Sequence, residues 1–351
     1  MEGLRGFSVV LVFLVHYVTL VNPWMDPASS LLDFSNALHT MGNAGVDMFF
    51  VISGYLIYGS LLSRPQKFGR FMLRRVERIY PVFIAVFIIY IALSFVFPSE
   101  NKIPATFSRG LVYLLQNFLL LPGFFPIQPL ITVAWSLSYE MLYYLVIQLL
   151  FPLLGLRQRS ATWRVCFFLT LAIVVVGYCG VYGGPVRLTM FIAGILLYEA
   201  IQSRRTPTPP GVVALGVLLL GLLTTLVPVA GQMVFAMKTS VLFVAVFVLY
   251  LACFRDPAAW LSRAYSWRPL RWLGNMSYSY YLVHGLALKA GFLVLAFLLP
   301  MTRYGDWLFW ALLPAMFTLT LLAAAVLFLA VERPFSLEPV WHSARSAKSL
   351  S

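Results

Sequence analysis

The sequence predicts an all-α, polytopic membrane bundle. Three observations carry that expectation. Apolar residues make up 61% of the 351 positions and charged ones 11%, against about 45–50% and about 25% in ordinary soluble domains. The apolar residues fall in runs near span length, about 20 residues. The basic residues gather in short clusters between alternate runs, the distribution that sets membrane orientation. The net charge of +13 is therefore topology, and nucleic acid is not an expected partner.

Ten spans follow, at 4–22, 44–63, 79–98, 131–154, 165–183, 186–201, 211–230, 232–253, 274–299 and 307–331. Arg64 to Arg78, Arg157 to Arg164, Arg204 and Arg205, Arg255 to Arg271, and Arg333, Arg345 and Lys348 fall on one side if both termini are cytoplasmic. Lys102, Arg109, Arg187 and Arg303 fall on the other. Residues 107–121 are apolar around Gln116 and Asn117 and run into PGFFPIQP. Counting them as a span would break the alternation, so a re-entrant or interfacial segment near 107–130 is expected, covered by protein or water. Residues 1–335 form a single transmembrane domain and 336–351 a short cytoplasmic tail. Cys166, Cys179 and Cys253 lie in apolar runs without metal or redox spacing and read as packing residues; no metal site is expected.

Several polar groups sit where lipid makes them costly. Arg5 and His16 are eleven residues apart in the first span, three turns to within about 20°, so they share a face and lie about 16 Å apart. That places a cation at one membrane surface and an imidazole deep inside. The second span, GNAGVDMFFVISGYLI, carries Asp47 and Ser53. Asp47 is either an acid favoured by the helix dipole or a catalytic group. In FMLRRVERIYP, Arg74, Arg75 and Arg78 are three and four apart. They suit phosphate binding or simply anchor the inner face, and Pro81 is expected to limit helix continuity there.

The fourth span opens VAWSLSYEM, with Trp135, and with Ser136 and Glu140 on one face. Helical rise puts Glu140 about 13 Å and His16 about 9 Å from the outer end, so the two can meet. A carboxylate against an imidazole fixes its tautomer and raises its basicity; a structural acid is the other reading. In WLGNMSYSYYLVHG, Ser277, Tyr280, Tyr281 and His284 cluster on one face, either lining a polar pocket or bonding between helices. Lys238 and Lys289 are single lysines within apolar runs, explained by snorkelling or a helix end.

In this order the segments resemble the membrane acyltransferase family 3. EGLRG with His16 resembles its Arg/Lys-x10-His motif, GNAGVDMFFVISGYLI its second signature, and RRVERIYP, WSLSYE, WLGNMSYSYYLVH and VERPF later ones. The resemblance covers nearly the whole chain. It implies an integral O-acyltransferase of a bacterial-type inner membrane. The acyl group, usually acetyl, passes from acetyl-CoA, a co-substrate rather than a tightly bound cofactor. The acceptor is a hydroxyl of a cell-surface glycan or small molecule reached from the outer side.

Carried over, His16 is the catalytic histidine, with Arg5 its motif partner and Glu140 an acid of the pocket. Arg75 and Arg78, with Arg74 beside them, hold the donor. Asp47, Ser53, Asn117, Trp135, Ser136, Tyr280 and His284 complete the expected pocket. No counterpart of the fused SGNH-type hydrolase domain of some relatives is seen, so direct transfer or a separate periplasmic acyl-handling protein is expected. The chain also opens almost on the first motif, so a start further upstream is expected. The alternative class is a multi-pass transporter or flippase of a glycan intermediate, with Arg5, His16 and Glu140 as a relay.

Overall fold

Runs of span-length apolar residues without water to satisfy the backbone must become helices, and every one of the ten predicted spans coincides with a helix. The computed structural model describes residues 1–302 and 304–337, and no strand occurs among them. Arg303, Arg345 and Lys348, and the expected tail beyond residue 337, lie outside the described residues. The helices are α1 (Glu2–Val21), α2 (Ser30–Gly42), α3 (Ala44–Ser63), α4 (Phe68–Val96), α5 (Phe107–Phe118), α6 (Trp135–Leu153) and α7 (Ala161–Tyr182). There follow α8 (Thr189–Gln202), α9 (Gly211–Thr224), α10 (Gln232–Arg255), α11 (Trp260–Tyr265), α12 (Arg268–Asn275), α13 (Ser277–Leu298) and α14 (Trp307–Leu327), which continues into a π-helix over Phe328–Leu337.

Eight helical stretches among the described residues are long and apolar enough to cross a membrane. The helices of the sixth and seventh predicted spans, α8 and α9, have 14 residues each, about 21 Å at helical rise and shorter than the hydrocarbon layer. Helix α5 has 12 residues, too few to span, and two residues beyond it Leu120 takes a φ of +57°. Helix α4 starts eleven residues before its predicted span and runs through Pro81 unbroken. Pro81 therefore does not divide the basic turn from the span. The amide it lacks costs one hydrogen bond, which a long packed membrane helix tolerates. Cys179 and Cys253 are buried, while Cys166 is exposed on α7.

The chain forms two compact units. One comprises residues 1–66 and 143–275 and the other residues 67–142 and 276 onward. In the first, α1 packs on α2, α3 and α12. A side chain at Gly6 of the EGLRG motif would meet the carbonyl oxygen of Leu270 at 2.0 Å, so glycine is what lets α12 reach α1. Helices α3 and α8 also cross backbone to backbone. A Cβ at Gly54 would lie 2.2 Å from the Phe191 oxygen, and one at Gly194 2.1 Å from the Val51 oxygen, the small-residue contact by which membrane helices gain packing. Phe191 stacks on Phe50 at 4.6 Å and on Tyr143 at 4.3 Å, and Tyr143 donates to the Gly54 carbonyl at 3.1 Å.

Gly194→Ala should accordingly destabilise the protein by about 1–3 kcal/mol through overpacking. Gly216→Ala on α9, where an added Cβ meets nothing within 4 Å, should be neutral or slightly stabilising. Thermal unfolding of the two purified variants in one detergent checks the contrast; equal midpoints would refute it.

In the second unit α13 packs on α14, and α4 packs on the π-helix and on α13. Asn117 closes the loop after α5. Its Oδ1 accepts from Leu130 N at 2.7 Å and its Nδ2 donates to the carbonyls of Tyr113 at 3.0 Å and Gln128 at 3.4 Å.

Candidate functional site

Helix α1 is buried along most of its length, yet Arg5 and His16 keep accessible surface while their neighbours Leu4, Gly6, Val15 and Tyr17 do not. Continuous α-helix from Glu2 to Val21 places both on one side. The glycine-mediated contact with α12 fixes the N-terminal end of that face. Near its other end His39, on α2, lies within electrostatic reach of His16. No sequence pattern singled out His39, because α2 is a short capped helix: the Ser29 Oγ accepts from Leu31 N at 3.0 Å. In α3, Asp47 is 2% exposed and sits in the first turn. The Arg187 Nε approaches its Oδ1 at 3.8 Å, so dipole and ion pair both act on it. Ser53 is half-buried between Ile52 and Gly54.

The second unit holds the remaining expected residues. On α4, Arg74 is exposed and Arg75 half-buried, with the Arg75 guanidinium 5.6 Å from the Phe71 ring centre. Arg78 donates to Glu332 at 2.8 Å and lies 5.6 Å from the Tyr278 ring centre. Glu140 is half-buried on α6, one residue after Tyr139. Tyr139 stacks on Phe124 at 5.4 Å and takes the edge of Trp135 at 5.4 Å. His16 thus belongs to the first unit and Glu140 to the second.

Three of the expected pocket residues are committed to helix packing. Ser136 donates to the Tyr281 hydroxyl at 2.8 Å, and Tyr281 donates to the Val133 carbonyl at 3.0 Å. Tyr280 is fully buried with its hydroxyl 2.8 Å from that of Thr320 on α14. His284 is also fully buried, its Nδ1 3.0 Å from the Tyr280 carbonyl oxygen. The Ser136–Tyr281 and Tyr280–Thr320 bonds run between helices, while that of His284 stays within α13. Of the two lysines within apolar runs, Lys238 donates to the Val227 carbonyl and Lys289 pairs with Glu100 at 2.5 Å. Nearby, Lys102 donates to the Pro129 carbonyl at 3.0 Å. Its burial, aided by the Lys289 charge, holds its pKa below the usual lysine range.

Two carboxylates escaped the sequence reading. Glu332, fully buried, accepts from Arg78 and from the Ser279 amide and hydroxyl at 3.0 and 2.5 Å. Glu199 on α8, 4% exposed, takes a bidentate pair from Arg164 at 2.6 and 3.0 Å and a bond from the Tyr58 hydroxyl. Both lie near helix ends, where a lone acid in an apolar run reads as a span boundary. Among the described residues no group of three or more His, Cys, Asp or Glu is placed to hold a metal.

Eight helical stretches of span length among the described residues, with charge buried and paired inside the units, define a multi-pass membrane protein. The family of the acyltransferase domain matches residues 1–329, through both units, and the chain belongs to that family. It is similar to the peptidoglycan O-acetyltransferase OatA of Listeria monocytogenes, 27% identical over 319 residues, covering 81% of this chain and 48% of the relative. It is also similar to the putative peptidoglycan O-acetyltransferase YrhL of Bacillus subtilis, 25% identical over 351 residues, covering 88% and 50%. A third relative is the exopolysaccharide production protein ExoZ of Rhizobium meliloti, 30% identical over 183 residues, covering 48% and 54%. The chain spans about half the length of these curated relatives. No solved structure matches it.

Proposed function

We propose that this chain is an O-acetyltransferase of a bacterial cytoplasmic membrane, with both termini inside. It takes acetyl from acetyl-CoA at the inner face and places it on a hydroxyl of a cell-surface glycan. The observation that carries this reading is the Arg5–His16 pair, both half-buried and on one side of α1, in a chain of the acyltransferase family. The names of the relatives point the same way, and peptidoglycan and exopolysaccharide are the first acceptors to try.

Chemically, His16 takes the proton of the acceptor hydroxyl as its oxygen attacks the thioester carbonyl. A C–O bond forms, the C–S bond breaks, and the proton passes to the departing CoA thiolate. Arg5 sets the charge at the inner end of α1, and Arg74, Arg75 and Arg78 hold the CoA phosphates. In the two-step version His16 carries the acetyl group itself before the acceptor arrives.

Purified full-length chain in lipid nanodiscs, given acetyl-CoA labelled in the acetyl group and peptidoglycan or exopolysaccharide fragments, should yield labelled ester on the glycan by mass spectrometry. Passage of unmodified fragments across the bilayer with no ester formed would assign the chain to transport instead.

A further inference from the structure

The π-wound end of α14 turns a side chain inward that an α-helix would turn away. The buried residues of α14 include Met316, Thr320, Ala324 and Leu327, a face that unbroken α winding would continue through residue 331. At 100° per residue, a side chain five beyond Leu327 would point about 140° off that face. Phe328–Leu337 is π-helical instead. Hydrogen bonds from i to i+5 put more residues in each turn, and Glu332, five beyond Leu327, returns to the buried side. Pro334, inside the segment, crowds with its ring the carbonyl four residues back, which an α ladder would bring against it.

The inward carboxylate is fully used. Its Oε1 takes Arg78 Nη1 at 2.8 Å, and its Oε2 takes the amide and hydroxyl of Ser279 at 3.0 and 2.5 Å. Ser279 is in the first turn of α13, where the helix dipole favours an anion. Tyr278, whose ring faces the Arg78 guanidinium, is itself tied by its hydroxyl to the Ile79 carbonyl at 2.7 Å. One edge and one face of the guanidinium are thereby held, while 31% of the Arg78 side chain stays exposed. A planar fork fixed on one edge presents its other N–H donors in a set direction, which is how arginine recognises phosphate. Neither the ion pair nor the π winding has a role in the reaction outlined above.

We propose that Glu332, aimed by the π-helix, is the positioning residue for Arg78, holding its free donors toward a phosphate of the acyl-CoA. This rests on the donor-site reading of Arg78. The full-length chain in nanodiscs is compared as wild type, Glu332→Gln, Glu332→Asp, Arg78→Ala and the Glu332→Gln, Arg78→Ala double variant. The first readout is phenylglyoxal modification of Arg78, followed by peptide mass spectrometry. The second is CoA release from acetyl-CoA with peptidoglycan fragments as acceptor.

In Glu332→Gln, labelling of Arg78 should rise several-fold and the acetyl-CoA KM about tenfold, with kcat within about twofold. Glu332→Asp should recover most of both. On the Arg78→Ala background the Gln substitution should add nothing to KM. A folded Glu332→Gln protein with wild-type labelling and KM would overturn the proposal, as would a loss of kcat alone. If the wild type does not turn over acetyl-CoA, the donor reading fails, and the labelling arm still decides whether Glu332 holds Arg78. Should Glu332→Gln not fold, Ser279→Ala removes only the hydroxyl donor and should shift both readouts the same way by less; no shift in either would overturn the proposal.

Discussion

Replacing His16 with alanine should lower acetyl transfer by about 10²–10⁴-fold, the range lost with a general base, without changing the amount of folded protein in the membrane. The expectation of preserved folding is physical. His16 keeps accessible surface on α1, whereas the contacts that build the helix come from buried neighbours such as Phe13, Val15 and Tyr17. Truncating a partly exposed ring removes little packing. The acetyl-CoA KM separates the two catalytic versions from a binding role. A base or acyl carrier acts on the barrier, so kcat falls and KM for the donor holds; a residue that only binds donor would raise KM at constant kcat. Brief reaction of the wild type with labelled acetyl-CoA and no acceptor, followed by peptide mass spectrometry, then distinguishes the versions, since only the carrier route leaves label on the ring. Normal transfer by folded His16→Ala would remove the histidine from the chemistry altogether.

What could be read from the chain divides along physical lines. Spans are local: a run such as that of α3 or α10 has no alternative to helix in lipid, and α3 begins and ends at the predicted residues. The shared face of Arg5 and His16 is equally local, because it needs only helical rise and period. Short amphipathic helices are different. Helices α2, α11 and α12 are 13, 6 and 8 residues long, below the length at which sequence alone sustains a helix. They exist because α1 and α10 give them something to pack on, which no single-segment pattern reports.

The least legible features are partnerships across the chain. Arg78 and Glu332 are 254 positions apart and Tyr58 and Glu199 are 141 apart. Glu332 was hidden a second way, since the α period assigns it to the wrong side of its helix. The residues of SYSYYLVH were visible as a polar group, but only packing shows that Tyr280 spends its hydroxyl on Thr320.

Glu199→Ala should be the most destabilising single change in the first unit, by about 3–5 kcal/mol, the cost of stripping one partner from a buried ion pair. The Arg164 side chain is 11% exposed, so its guanidinium cannot turn to water, and the Tyr58 hydroxyl loses its acceptor as well. Two backbone carbonyls, Arg159 at 2.6 Å and Leu156 at 3.4 Å, remain to Arg164, but neither carries a countercharge. Glu199→Gln keeps an acceptor for Tyr58 and should fall between. The decisive comparison is Glu199→Leu with Arg164→Leu, which removes both charges and leaves apolar volume. Because much of a broken pair's cost lies in the orphaned charge, the double variant should unfold at a higher temperature than Glu199→Leu alone. Thermal unfolding in a single detergent reads all four. A double variant less stable than Glu199→Leu would mean that the arginine is worth more for its carbonyl bonds than it costs as an unpaired charge, and would locate the strength of this corner in the loop after α6 rather than in the ion pair.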